Sequence, residues 1–159
     1  MQQHMHEGMQ GKQGHYGRLL AMVALSFIAM YILMYAMVNR FENVFHNVNQ
    51  VYMAGLMAAP MLLIELALMA GMYPDKRRNA WIAGGAVVLM ALCWFGIRQQ
   101  AGVTDRQFLR SMIPHHAGAI LMCEQSPSHD PKILRLCEEI VLSQRAEIAE
   151  MKQMLAAGE

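Results

Sequence analysis

The sequence predicts an all-α membrane protein with three transmembrane helices followed by an antiparallel helical hairpin. Three observations carry that expectation. Of 159 residues, 55% are apolar and only 16% charged, against about 25% charged in an ordinary soluble domain. The first two-thirds of the chain contains three long runs with almost no charge, each of a length that suits a hydrocarbon core of about 30 Å. The last third then turns charged and amphipathic, with helix-capping residues at two positions.

Residues 1–16 (MQQHMHEGMQGKQGHY) are polar, rich in Gly and Gln and aperiodic, and are expected to form a mobile tail. Residues 17–98 are the expected three-helix transmembrane region. Its first run, 19–39, carries no charge and is followed by no small-residue cleavage site, so it reads as an anchor helix. Residues 40–50 (RFENVFHNVNQ) form a short amphipathic connection. The second run, 51–73, is interrupted by one acid, Glu65, and one proline, Pro60. Residues 74–79 (PDKRRN) read as a tight basic turn, and the third run, 80–97, has Trp81 and Trp94 near its ends as interfacial anchors.

Residues 104–157 form the expected hairpin. Thr104 with Gln107 has the pattern of a capping box opening a helix to about residue 125. After a Ser-Pro-Ser-His loop, Asp130 is an N-cap with Pro131 at the first helical position of a helix to about residue 157. Some fifty residues are too few to bury a core alone, so the hairpin is expected to pack on the bundle or on a second copy. A homo-oligomer is therefore expected. Lys76, Arg77 and Arg78 favour a cytoplasmic turn in a bacterial inner membrane, with the N-terminus cytoplasmic and the hairpin periplasmic. Arg98, Arg106 and Arg110, after the third run, argue for the reverse orientation.

Methionine is the anomaly, at 17 residues. Met53, Met57, Met61, Glu65, Met69 and Met72 fall at steps of four or three along the second run, on one helical stripe. Met30, Met34 and Met37 repeat the idea on the first, with Met22 two turns earlier. Thioethers suit copper(I) and silver(I), so two facing stripes would offer a soft ion successive weak sites. The plain alternative is packing, because methionine fills irregular helix interfaces. Glu65 at membrane depth reads as functional, or as one end of a structural hydrogen bond.

The hairpin holds a denser cluster. Met112, His116 and Cys123 share one helical face, and His115 and Met122 share another about 100° round. The returning helix offers Cys137, Gln144, Glu147, Met151 and Met154 at helical spacings. An antiparallel fold sets Cys137 opposite Met122 and Cys123, and Met151 near Met112. Sulfur and imidazole from two helices suit copper(I) or silver(I). Cys123 and Cys137 would instead form a disulfide in an oxidising compartment, and Cys93 reads as buried packing. His4, Met5, His6, Met9 and His15 add a cluster in the tail. His46, in the 40–50 connection, is either an entry ligand or a surface histidine.

The run Asp105, Phe108, Met112-Ile113-Pro114-His115-His116, Ala119-Ile120 and Met122, with Ile140, Gln144, Glu147-Ile148 and Met151 downstream, resembles the family called domain of unknown function 305. The resemblance covers about a third of the chain. It implies a ferritin-like helical bundle, usually exported, with some members tied to copper binding and tolerance. It also implies that Met112, His115, His116, Met122 and Met151 face metal. The chain departs from the family in carrying one hairpin where larger members have a fuller bundle, and in its three spans.

The leading expectation is a membrane protein that binds copper(I) or silver(I) for sequestration, tolerance or handover to a metal-handling partner protein. A transporter or channel component using the methionine stripes is the alternative, and a metal-free scaffold subunit of a membrane complex is another. A di-iron enzyme would need several carboxylates and Glu-x-x-His pairs, which the spans and hairpin lack, so no enzyme is expected. Nucleic acid is not an expected partner, since net charge is +1 and the basic residues are scattered.

Overall fold

In a computed structural model the backbone is described for residues 2–158 and the side chains for residues 15–158. Helix makes up 84% of the chain, and no strand occurs among the described residues, so the protein is all-α. Five helices follow one another: α1 Gln2–Leu33, α2 Val48–Leu68, α3 Lys76–Gln99, α4 Asp105–Glu124 and α5 Pro131–Ala157. Three segments, His15–Met37, Val48–Leu68 and Lys76–Gln99, are long and apolar enough to cross a membrane. The side chains of His4, Met5, His6 and Met9 lie outside the described residues.

The chain divides into two compact units. One comprises Met1–Ile32 with Val51–Ala101, and the other Leu33–Gln50 with Gly102–Glu159. The connection between the first two spans therefore belongs with α4 and α5.

In the first unit, α2 buries Ala54, Gly55, Ala58, Ala59, Leu62 and Leu66, a stripe of mostly small residues. Small residues let spanning helices approach closely where no hydrophobic drive separates helix from lipid. A Cβ on Gly55 would sit 2.8 Å from Cys93 Sγ, and one on Gly96 would sit 2.9 Å from the Tyr52 ring. The α2–α3 seam thus closes through two glycines. Tyr16, Leu19, Ala59, Leu62, Leu66, Tyr73 and Ala86 form the core of this unit. Above it, Tyr16 donates to Asn79 Oδ1 at 2.8 Å, and Asn79 Nδ2 donates to the Tyr73 carbonyl at 2.8 Å.

The basic segment expected to be a turn is helical from Lys76. Asp75 explains the difference: its carboxylate accepts from the backbone N–H groups of Arg77 and Arg78, both at 3.0 Å. That cap satisfies orphan donors and sets a negative charge at the positive end of α3. At the other side of the same connection, α2 stops at Leu68 and continues only as a 3-10 turn, Ala70–Met72. Glu65 consequently lies within one turn of the end of α2, close to the Tyr73 side chain. Near a helix end an acid costs less than at the bilayer midplane.

In the second unit α4 and α5 pack on each other in opposite directions, with His116 against Glu147 and Glu124 against Arg145. Ile113, Ala117, Ile120, Ile148 and Met151 form its core, with Val38, Phe45 and Met112 packed against it. Thr104 caps α4 by accepting from Gln107 N at 3.4 Å, and Asp130 caps α5 by accepting from Lys132 N at 2.8 Å. The capping box is only half formed. Gln107 turns its Oε1 to Val48 N at 3.1 Å instead of reaching back to Thr104. Asn47 caps α2 by accepting from Gln50 N at 2.9 Å. Gly118 leaves α4 bare where the Met37 carbonyl approaches.

Candidate functional site

The residues singled out in the helix pair separate into three groups. Met112 and Met151 belong to the core of the second unit, where Met151 is buried beside Ile113 and Ile148. Their local role is packing, which suits a flexible, polarisable side chain.

The two adjacent histidines diverge, as a 100° step requires. His115 is exposed. His116 is buried, with Nδ1 2.9 Å from the Met112 carbonyl and Nε2 2.7 Å from Glu147 Oε2. Both ring nitrogens are engaged, so the imidazole would have to leave one of these partners to take a metal. Glu147 also accepts from Ser143 Oγ at 2.5 Å. The Ser143 hydroxyl and, after it, His116 hold the Glu147 carboxyl below the usual carboxylate range.

The third group is the most open to a ligand. Cys123 on α4 and Cys137 on α5 are both free thiols, half-buried, and line one groove of about 490 Å³ with Glu124, Leu134, Glu138, Val141 and Leu142. The Cys123 thiol is pushed up to about 11, first by its hydrogen bond to Cys137 and then by burial. The two sulfurs are thus direct neighbours across the helix pair. Met122, the residue before Cys123, is 58% exposed.

The remaining candidates are dispersed. His46 is exposed on the 38–47 connection, with its ring edge-on to Tyr35 at 6.2 Å. Met53 and Met57 are 40% and 44% exposed, one residue round from the buried small-residue stripe of α2. The methionine stripe of α2 therefore flanks the seam of the first unit instead of lining it. Met30, Met34 and Met61 are half-buried and Met37 is exposed.

Among the described residues no group of three or more His, Cys, Asp or Glu side chains is placed to hold a metal ion. A hard or borderline ion with three or four such ligands has no ready-made cage there. Two neighbouring thiols fit a different chemistry, because soft monovalent ions are satisfied by few sulfur ligands. Two features had weak sequence signals. Ser143 and Glu147 are four apart on α5, which marks an intrahelical pair, but nothing in the sequence shows His116 facing them. Gly55 and Gly96 read as ordinary glycines until the helices are docked.

Geometry and sequence together define an all-helical protein with three membrane-length helices and a charged helix pair after them. The chain belongs to the family described as Domain of unknown function (DUF305), whose model matches residues 96–155. It is also similar to "Uncharacterized protein L153" of Acanthamoeba polyphaga mimivirus, with 32% identity over 140 residues, covering 86% of this chain and 90% of the viral one. That similarity extends through the spans as well as the helix pair. No solved structure matches the chain.

Proposed function

We propose that the protein is a membrane-anchored binder of copper(I) or silver(I), holding the ion for sequestration or for handover to a partner protein. The observation that carries this reading is the Cys123–Cys137 pair: two free thiols, neighbours across the α4–α5 seam, lining one groove. Thiolates select soft ions, and Met122 adds a thioether beside them. His115 supplies an exposed imidazole about two turns before Cys123 on α4, suited to capture and not to closing the same site. His116 would join only by leaving Glu147. In this reading the three spans anchor the site, with the N-terminus in the cytoplasm of a bacterial cell and the helix pair outside.

The test is an anaerobic copper(I) titration of the detergent-purified protein against a chromophoric competitor, with four variants. Cys123→Ser/Cys137→Ser should lose tight binding, while His115→Ala and Met151→Leu should retain it. Binding that survives the double cysteine change but falls with Met57→Leu/Met61→Leu would move the site to the second span and favour transport. No tight binding by the unaltered chain would sink the metal reading.

A further inference from the structure

Softness toward metals is not the only chemistry of the Cys123–Cys137 pair. Cys123 is the last residue but one of α4, and Cys137 ends the second turn of α5. The two helices run in opposite directions and are tied to each other by His116 with Glu147 at 2.7 Å and Arg145 with Glu124 at 2.6 Å. Both thiols are free and half-buried, and both line the groove of about 490 Å³, with no other sulfur in its lining. A small molecule entering the groove therefore meets the two sulfurs together. Cys93, by contrast, is buried within α3.

Two neighbouring thiols on an open groove answer to an oxidant as well as to a soft ion. The oxidant this geometry suits is a low-molecular-weight disulfide, which reacts by exchange. The Cys137 thiolate attacks one sulfur of that disulfide, whose S–S bond breaks and releases one small thiol. The Cys123 thiolate then attacks the Cys137 sulfur of the mixed disulfide, and the second small thiol leaves. The protein loses two electrons and two protons, and the small disulfide gains both. Thirteen residues lie between the cysteines. The packed helices already hold them as neighbours, so the second step is intramolecular and fast relative to a second encounter.

We propose that Cys123 and Cys137 are a dithiol–disulfide couple whose oxidised form shuts the groove to soft metal. In the disulfide neither sulfur is a thiolate, and thiolate is the form that binds metal. The groove then keeps only Glu124 and Glu138 as charged ligands, hard oxygens of which the first is already paired with Arg145. The exclusion runs both ways, because a sulfur bound to metal is not free to attack a disulfide. A bond on an open groove is also within reach of a reducing thiol, which makes the closure reversible. The gating of metal rests on the reading proposed above; formation of the bond does not.

The test incubates the full chain, purified reduced in detergent, with oxidised glutathione under anaerobic conditions. Free thiols are then blocked with N-ethylmaleimide and the protein is weighed by intact mass spectrometry. The unaltered protein should lose two hydrogens, carry no glutathione, and yield on digestion a peptide pair linking Cys123 to Cys137. Cys93→Ser should behave alike, and Cys123→Ser should stop at a glutathione on Cys137. Two glutathiones or two maleimides on the pair, in a chain of unaltered circular dichroism, would overturn the couple. The closed protein should lose tight copper(I) binding and regain it on reduction with a phosphine, and copper(I) added first should prevent closure. Tight binding by the closed protein would overturn the gate and move the metal to ligands outside the pair. A reduced chain that binds no copper(I) fails the metal reading, and the gate with it, while the mass spectrum still decides the bond.

Discussion

Cys123 and Cys137 show how a pair of residues acquires chemistry that neither has alone. Each is an ordinary thiol in the sequence, but across the α4–α5 seam the neighbouring Cys137 keeps the Cys123 proton on, pushing its pKa up to about 11. A metal that binds thiolate must expel that proton. Apparent copper(I) affinity should therefore rise with pH, by up to roughly tenfold per unit for each proton released. Competitor titrations at pH 6, 7 and 8 would measure it, and a flat profile would exclude Cys123 as a ligand. His116 and Glu147 give a second prediction of the same sense, in a more acidic range. Glu147 has a lowered pKa in the folded chain, so its contribution to stability is present above the unfolded carboxylate range near 4.3. It is lost as pH falls through the folded value. Thermal melts by circular dichroism between pH 3 and 6 should fall more steeply for the unaltered protein than for Glu147→Gln. Replacing His116 by Leu removes a buried side chain with two hydrogen bonds and should cost about 1–3 kcal/mol.

Elements are set by their ends and by their closest contacts. Three membrane-length helices need no cap to be helical if they lie in lipid, where a backbone has no other donor or acceptor to turn to. Their ends are chosen by single residues, such as Asp75 for α3 and Asn47 for α2. Asp75→Ala should cost about 1 kcal/mol through the lost cap and fray the basic first turn, read as a lower melting temperature. The α2–α3 seam depends on Gly96, where an added methyl meets the Tyr52 ring at 2.9 Å. That ring cannot move freely, because its hydroxyl donates to the Ala101 carbonyl at 2.8 Å. Gly96→Ala should accordingly cost about 1–3 kcal/mol by overpacking. Gly84→Ala meets nothing within 4 Å and should leave the melting temperature unchanged or raised. Equal effects of the two changes in detergent melts would refute the close seam.

At the scale of the whole molecule, three membrane-length helices, if all three cross, put the segments before the first and after the third on opposite sides of the membrane. The orientation proposed above puts Lys76, Arg77 and Arg78 inside and α4–α5 outside, against the pull of Arg106 and Arg110. Cys123 should then react with a membrane-impermeant maleimide added to intact cells. Protection there, with labelling only after lysis, would reverse the orientation and place any metal site in the cytoplasm.

The sequence by itself determined the all-helical class, the three membrane-length runs and the two capped helices after them. These follow from local properties: runs without charge, the 3.6-residue period, and cap residues such as Thr104, Asp130 and Pro131. The motif Met112-Ile113-Pro114-His115-His116 also sufficed to place the chain in its family. What needed the tertiary structure were the partners. A histidine pair in sequence does not reveal that Glu147 occupies one imidazole while the other stays exposed. Methionines four apart share a face, but only docked helices show that the buried face of α2 is the neighbouring stripe of alanine and glycine. Gln107 looks like half of a capping box until Val48 arrives beside it. Each of these depends on which surfaces of distant segments meet, and that is decided by packing and by competition among hydrogen-bond partners, not by the spacing of residues along one helix.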